Sequence, residues 1–166
     1  MNIKFGNQAV ETMVTFLNRA AEAYSVKNGN VTVVKESELA GFAGRVYLYE
    51  RPKGVSGEYI VVNHLPFKHV REVEEGIVNV NVHVPRLHSN VPDSERLSLL
   101  ASHIVELFDP RGTCLNEACF QFYADSRPIE ENDGTYFINL QFKVTFNNLD
   151  YRQIWQTRVN KEELTV

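Results

Sequence analysis

Apolar residues change their spacing several times along the chain, and each change predicts an element. Between residues 8 and 24, Val10, Met13, Val14, Leu17, Ala21 and Tyr24 recur at helical intervals. Glu11, Asn18 and Glu22 take the other faces, so the spacing predicts an amphipathic helix. Lys27-Asn28-Gly29-Asn30 stops it with turn residues. Val31 to Val34 predicts a short strand, and residues 36–44 a connection with room for one helical turn. Residues 45–49 and 59–63 alternate as two short strands around turn chemistry at residues 51–57. Residues 64–74, with Pro66, read as a loop.

From Gly76 to Val84 the period is two. Val78, Val80, Val82 and Val84 point one way, and Asn79, Asn81 and His83 the other. Pro85 ends that strand, and residues 86–92 form a polar loop. A second helix starts at Asp93 or Ser94, either of which suits its N-cap, and carries the stripe Leu97, Leu100, Ala101, Ile104, Val105, Phe108. Asp109-Pro110-Arg111-Gly112 ends it. In the last third, Ala118, Phe120, Phe122 and Ala124 alternate with Cys119, Gln121 and Tyr123. Asn132-Asp133-Gly134 is a strong turn signal. The returning strand puts Tyr136, Ile138, Leu140, Phe142, Val144 and Phe146 on one face, and Asn139, Gln141, Lys143 and Thr145 on the other. Together these predict a hairpin.

The order is α-β-β-β-β-α-β-β with a polar tail. It predicts an α+β fold: an antiparallel or mixed sheet of about five or six strands, with two main helices packed on one face. Residues 1–147 form a single domain in this reading, and residues 148–166 a C-terminal tail or arm.

Composition narrows the function without naming it. The chain has 166 residues, 43% hydrophobic and 23% charged, which is ordinary for a globular domain. The formal net charge is −4 and no basic stripe is present, which argues against a dedicated duplex-DNA binder. No run approaches the roughly 20 apolar residues that span a bilayer. The N-terminus has no apolar leader segment, so a cytosolic setting is expected.

Candidate chemistry is sparse. The five histidines, His64, His69, His83, His88 and His103, form no metal-ligand spacing, and they read as surface or loop residues. Cys114 and Cys119 are too few for a disulfide framework and lack redox or zinc spacing, so they read as structural thiols, with Cys119 on the polar face of its strand. No nucleophile elbow, phosphate loop or dinucleotide fingerprint is present. Glu74-Glu75 and Glu130-Glu131 sit beside turns, as solvated carboxylates do. The chain is therefore read as non-enzymatic, with no metal and no cofactor. The polar stripe of Asn79, Asn81, His83, Asn139, Gln141, Lys143 and Thr145 is either a half-exposed sheet face or a neutral wall between subunits. Trp155, the one tryptophan, either folds back onto the core or anchors on a neighbour.

Four segments carry a family resemblance: Gly44-Arg45-Val46-Tyr47, the run from Gly57 to Asn63, residues 75–85, and the helix from Leu97 to Phe108. With the closing strand Gly134 to Val144, they resemble the tail-completion, or tail-terminator, proteins of long-tailed bacteriophages and prophages. The resemblance covers roughly residues 8–147. It rests on element order and strand words, and leaves the loop at residues 87–90 and the tail without a matching pattern.

The resemblance implies structural work. Such proteins form a homo-oligomeric ring, commonly a hexamer, that caps the tail tube and meets the head-tail connector proteins. DNA passes only in transit, no membrane is involved, and the setting is the host cytoplasm followed by the virion tail. No catalytic residues transfer. The loops at residues 64–74 and 86–93 are the expected subunit or tube contacts, with Arg71, Glu74, Arg86 and His88 as their polar residues and Trp155 as the anchor of the tail. Two other readings stay open: a small-molecule or metal-binding α+β module, a possible minor enzyme, with His83, His88 and His103 near a pocket; or another connector or baseplate component.

Overall fold

The computed structural model describes residues 6–25, 38–70, 73–88 and 90–147. Helix α1 (Gly6–Ser25) leads, followed by a short 3-10 helix (Glu38–Phe42). Strands β1 (Val46–Leu48), β2 (Tyr59–His64), β3 (Lys68–Val70) and β4 (Val73–Pro85) come next. Helix α2 (Ser94–Val105) precedes β5 (Thr113–Leu115), β6 (Ala118–Asp125), β7 (Ile129–Glu130) and β8 (Thr135–Asn147).

The strands form one mixed sheet in the order β1-β2-β4-β8-β6-β5, with β3 added to β4 and β7 to β8. It curves into a half-barrel. Its spine is the antiparallel pair β4–β8, in unbroken register from Val73 opposite Asn147 to Pro85 opposite Thr135. Among the described strands only β1 runs parallel to its neighbour, β2. A register shift between Phe122 and Ala124 interrupts β6 against β8 and sets Tyr123 apart from the ladder.

Period-two patterning makes one face apolar, and both helices cover that face. Val78, Val80 and Val82 of β4 and Phe142 and Val144 of β8 are fully buried. They meet Val10, Met13 and Leu17 of α1 and Leu97, Leu100 and Ile104 of α2 in one core. Each such aliphatic side chain contributes roughly 1.5–3 kcal/mol on burial. Phe108, just past α2, closes the end of the core against Phe16, Phe120 and Phe142. Asp93 caps α2, its carboxylate accepting the Arg96 backbone N–H at 3.0 Å.

The α+β class, the two helices on one face and the paired strands β6 and β8 agree with the sequence reading. Residues 64–74 differ. They are not one loop: β3 lies within them, and β4 begins at Val73, three residues before Gly76. Cross-strand pairing to the long β8 holds this charged stretch extended. A flat aromatic ring covers Gly76, where a Cβ would overlap the Phe67 ring. The Asn132-Asp133-Gly134 turn joins β8 to the two-residue β7 rather than directly to β6. The strand expected at residues 31–34 lies outside the described residues.

Candidate polar face of the sheet

The face opposite the helices carries the side chains that the strands cannot put into the core. Asn63, Asn79 and Gln141 stand directly opposite one another across β2, β4 and β8. Asn79 is buried and uses both ends of its amide. Its Nδ2 donates to Asn63 Oδ1 at 2.8 Å, and its Oδ1 accepts from Gln141 Nε2 at 3.3 Å. In the next row Asn139 Nδ2 donates to Asn81 Oδ1 at 2.7 Å. The result is a neutral ladder of amides satisfied by one another, which keeps the desolvation penalty of a buried polar row small.

One row further, the ladder ends in an aromatic stack. The His83 ring lies 4.3 Å from the Tyr59 ring and 4.9 Å from the Phe137 ring. His83 is only 5% exposed. Burial pushes its imidazole down to about 4, with Asp133 pulling the other way, so the ring is neutral at pH 7. Thr135 donates its one hydroxyl proton to Asp133 Oδ1 at 2.6 Å. At the 3.3 Å contact between His83 Nδ1 and Thr135 Oγ1, the imidazole therefore donates. Nε2 then carries the lone pair. No buried side-chain nitrogen or oxygen among the described residues lacks a partner.

Asp133 gathers this corner. Its carboxylate also accepts the Thr135 backbone N–H at 2.9 Å and the Tyr59 hydroxyl, and pairs with Arg51 at 3.4 Å. Burial raises its carboxyl, but the hydrogen bonds from Thr135 and Tyr59 and the Arg51 charge outweigh that and hold it below the usual range. Burial and the Asp133 contact push the Tyr59 hydroxyl up to about 12. The trio His83, Thr135 and Asp133 runs in the wrong sense for nucleophilic catalysis. A general base must accept the hydroxyl proton of its nucleophile, whereas here the imidazole donates and the hydroxyl is committed to a carboxylate.

At its other end the same face opens into a cleft of about 500 Å3, lined by Leu65, Pro66, Lys68, Glu75, Ile77 and Lys143 among others. The Lys143 ammonium lies 4.5 Å from the centre of the exposed Tyr123 ring.

The structure separates the residues singled out from the sequence. Glu74 is not a solvated loop residue: it sits in β4 with 6% exposure, opposite Phe146. Arg86 is exposed at the other end of the same strand, its backbone N–H bonded to Gly134 O at 3.2 Å. Twelve residues of extended chain place the two roughly 40 Å apart. His88 is exposed in a bridge with Val91. His83, His88 and His103 do not converge, since His103 is on α2, over the opposite face of the sheet from His83. Among the described residues no group of three or more potential ligands is placed to hold a metal. Arg71 and Trp155 lie outside the described residues.

Three features escaped the sequence reading. Tyr59, Thr135 and Asp133 complete the His83 corner, and a threonine directly after an Asn-Asp-Gly turn was their one signal. Arg96 binds Glu58 through two nitrogens, at 2.7 and 3.0 Å, and also reaches Glu38. These bonds raise its guanidinium pKa and tie α2 to β2 and the 3-10 helix. Finally, Cys114 and Cys119 are not free thiols. They form a disulfide, with Cα atoms 3.9 Å apart across β5 and β6. A two-residue turn at Asn116-Glu117 brings the two positions opposite each other, and the positive φ of 55° at Asn116 suits that turn.

No helix among the described residues is long and apolar enough to cross a membrane. No family model and no curated protein matches the chain. One solved structure aligns with 80% of this chain and 94% of its own, at 12% identity and a TM-score of 0.45, too distant to carry an argument.

Proposed function

We propose that this chain is a structural subunit of a phage or prophage tail, a tail-completion protein. In this reading it forms a homo-oligomeric ring, a hexamer, that caps the tail tube and joins it to the head-tail connector. The observation that carries the reading beyond its sequence resemblance is the amide ladder. A neighbouring subunit that covers the paired rows of Asn63, Asn79 and Gln141 and of Asn81 and Asn139, and leaves Lys143, Glu75 and Asp133 at the rim, does so at little desolvation cost, because these rows carry no charge. A ring also needs a heterologous contact that closes on itself. The mild net negative charge suits a channel that DNA traverses without being held.

Negative-stain electron microscopy of the purified chain at high concentration tests the proposal. Annular particles with a central channel are expected, together with weak retention on DNA at low salt. Tight, salt-sensitive DNA binding, or a lone compact particle at all concentrations and in the presence of purified tail tubes, would contradict it.

The cleft beside Lys143 favours a second reading, a small-molecule binding module, because its volume falls in the range of ligand sites. That reading expects a monomer or dimer that co-purifies with a ligand or metal, which mass spectrometry and zinc analysis detect.

A further inference from the structure

We propose that Cys114 and Cys119 form a reversible thiol–disulfide site that latches β5 onto the sheet, with glutathione or a small dithiol as its chemical partner. The two residues stand directly opposite each other in a hairpin that ends the sheet. Cys114 is exposed, Cys119 half-buried. A thiolate from solvent therefore reaches the Cys114 sulfur most readily. Its attack forms a mixed disulfide and releases Cys119 as the thiolate. A second thiol of the reductant resolves the mixed disulfide, leaving two protein thiols and one oxidised reductant, with two electrons and two protons transferred. Oxidised glutathione reverses the steps.

The fold gives this chemistry a structural consequence. β5 has three residues and, among the described residues, pairs only with β6. Further ties are the Asp109 backbone N–H to Thr113 Oγ1 at 2.9 Å and the partial packing of Leu115 on the core. A strand this short is held weakly by its own pairing. Once reduced, it opens more often, which uncovers the edge of β6 at residues 118–120. The same opening removes Leu115 and Asn116 from one wall of a groove of about 420 Å3, whose other wall is Thr12, Phe16 and Arg19 of α1. The bond closes only a small loop, so it stabilises the folded chain less than a long-range bridge would. An exposed bond of this kind suits a cycling site better than a permanent staple. The inference rests on the proposed function only for its compartment, a reducing host cytoplasm, where disulfides are transient.

The test equilibrates the full chain in glutathione buffers from fully reduced to fully oxidised. Free thiols are counted by alkylation and mass spectrometry, and backbone exchange is followed over residues 113–120. The pair is expected to pass from dithiol to disulfide within the series. Exchange at residues 113–120 should rise about tenfold or more in the reduced form, while β4 and the centre of β8 stay unchanged. The double variant Cys114→Ser, Cys119→Ser should match the reduced protein in every buffer. A bond that survives excess reduced glutathione would overturn the proposal. So would thiols that never oxidise, or identical exchange in both states. None of these readouts depends on ring formation, so the latch and the tail reading fail separately.

Discussion

Lowering the pH from 7 to 5 should destabilise this fold through one residue, His83. The buried imidazole is pushed down to about 4 in the folded chain, against an ordinary value of 6.5. Between those values the unfolded chain binds the proton and the folded chain does not. Stability therefore rises with pH through this window and is lost as pH falls from about 6.5 toward 4. With these two values, moving from pH 7 to pH 5 removes about 2 kcal/mol. For a chain of this size that is a fall of roughly 4–8 °C in Tm. His83→Phe keeps a ring between Tyr59 and Phe137 but cannot titrate. It loses the donor to Thr135, which should cost about 1 kcal/mol at pH 7. The assay is urea unfolding of both proteins at pH 7, 6 and 5, because the difference between them cancels every other titrating group. The wild type should lose about 2 kcal/mol more than the variant between pH 7 and 5. Parallel pH profiles for the two proteins would refute the reasoning, as would an NMR titration of His83 with a midpoint near 6.5.

Three substitutions probe the rest of the structure. Asn79→Leu leaves the Asn63 carbonyl and the Gln141 amide without their partner, so denaturant unfolding should show a loss of about 2–3 kcal/mol; an unchanged midpoint would mean the ladder is not formed. Gly76→Val drives a side chain into the Phe67 ring and should cost about 2–3 kcal/mol. The same change should cost much less alongside Phe67→Ala, a coupling that a double-mutant cycle measures. Arg96→Met removes a two-pronged contact and leaves Glu58 and Glu38 together, so calorimetry should find a loss of about 1–2 kcal/mol, shrinking as salt rises if the pairing is screened.

The main elements were legible because their apolar residues obey one period and one face. Val78 to Val84 and Tyr136 to Phe146 are buried as their alternation requires. β3, β5 and β7 were not legible, because strands of two or three residues are held by a partner rather than by a pattern of their own. The start of β4 was hidden by Glu74 and Glu75, which look solvated in sequence. The 13-residue run of β8 carried the missing signal, since a strand that long needs a partner of similar length. The polar face was visible as a stripe, but its rows were not: which amide meets which depends on strand register, and the His83 corner joins residues more than 50 positions apart. The disulfide was open to inference from two cysteines placed symmetrically about an Asn-Glu turn. Spacing motifs for metals and redox enzymes do not look for that arrangement.

In the proposed function this chain works as a closed ring of identical subunits. Its most direct test is the mass in solution, measured by light scattering over a wide concentration range. A particle of six times 19.0 kDa is expected, present throughout or growing in as concentration rises. A mass fixed at 19.0 kDa at every concentration, and unchanged on adding purified tail tubes, would contradict it.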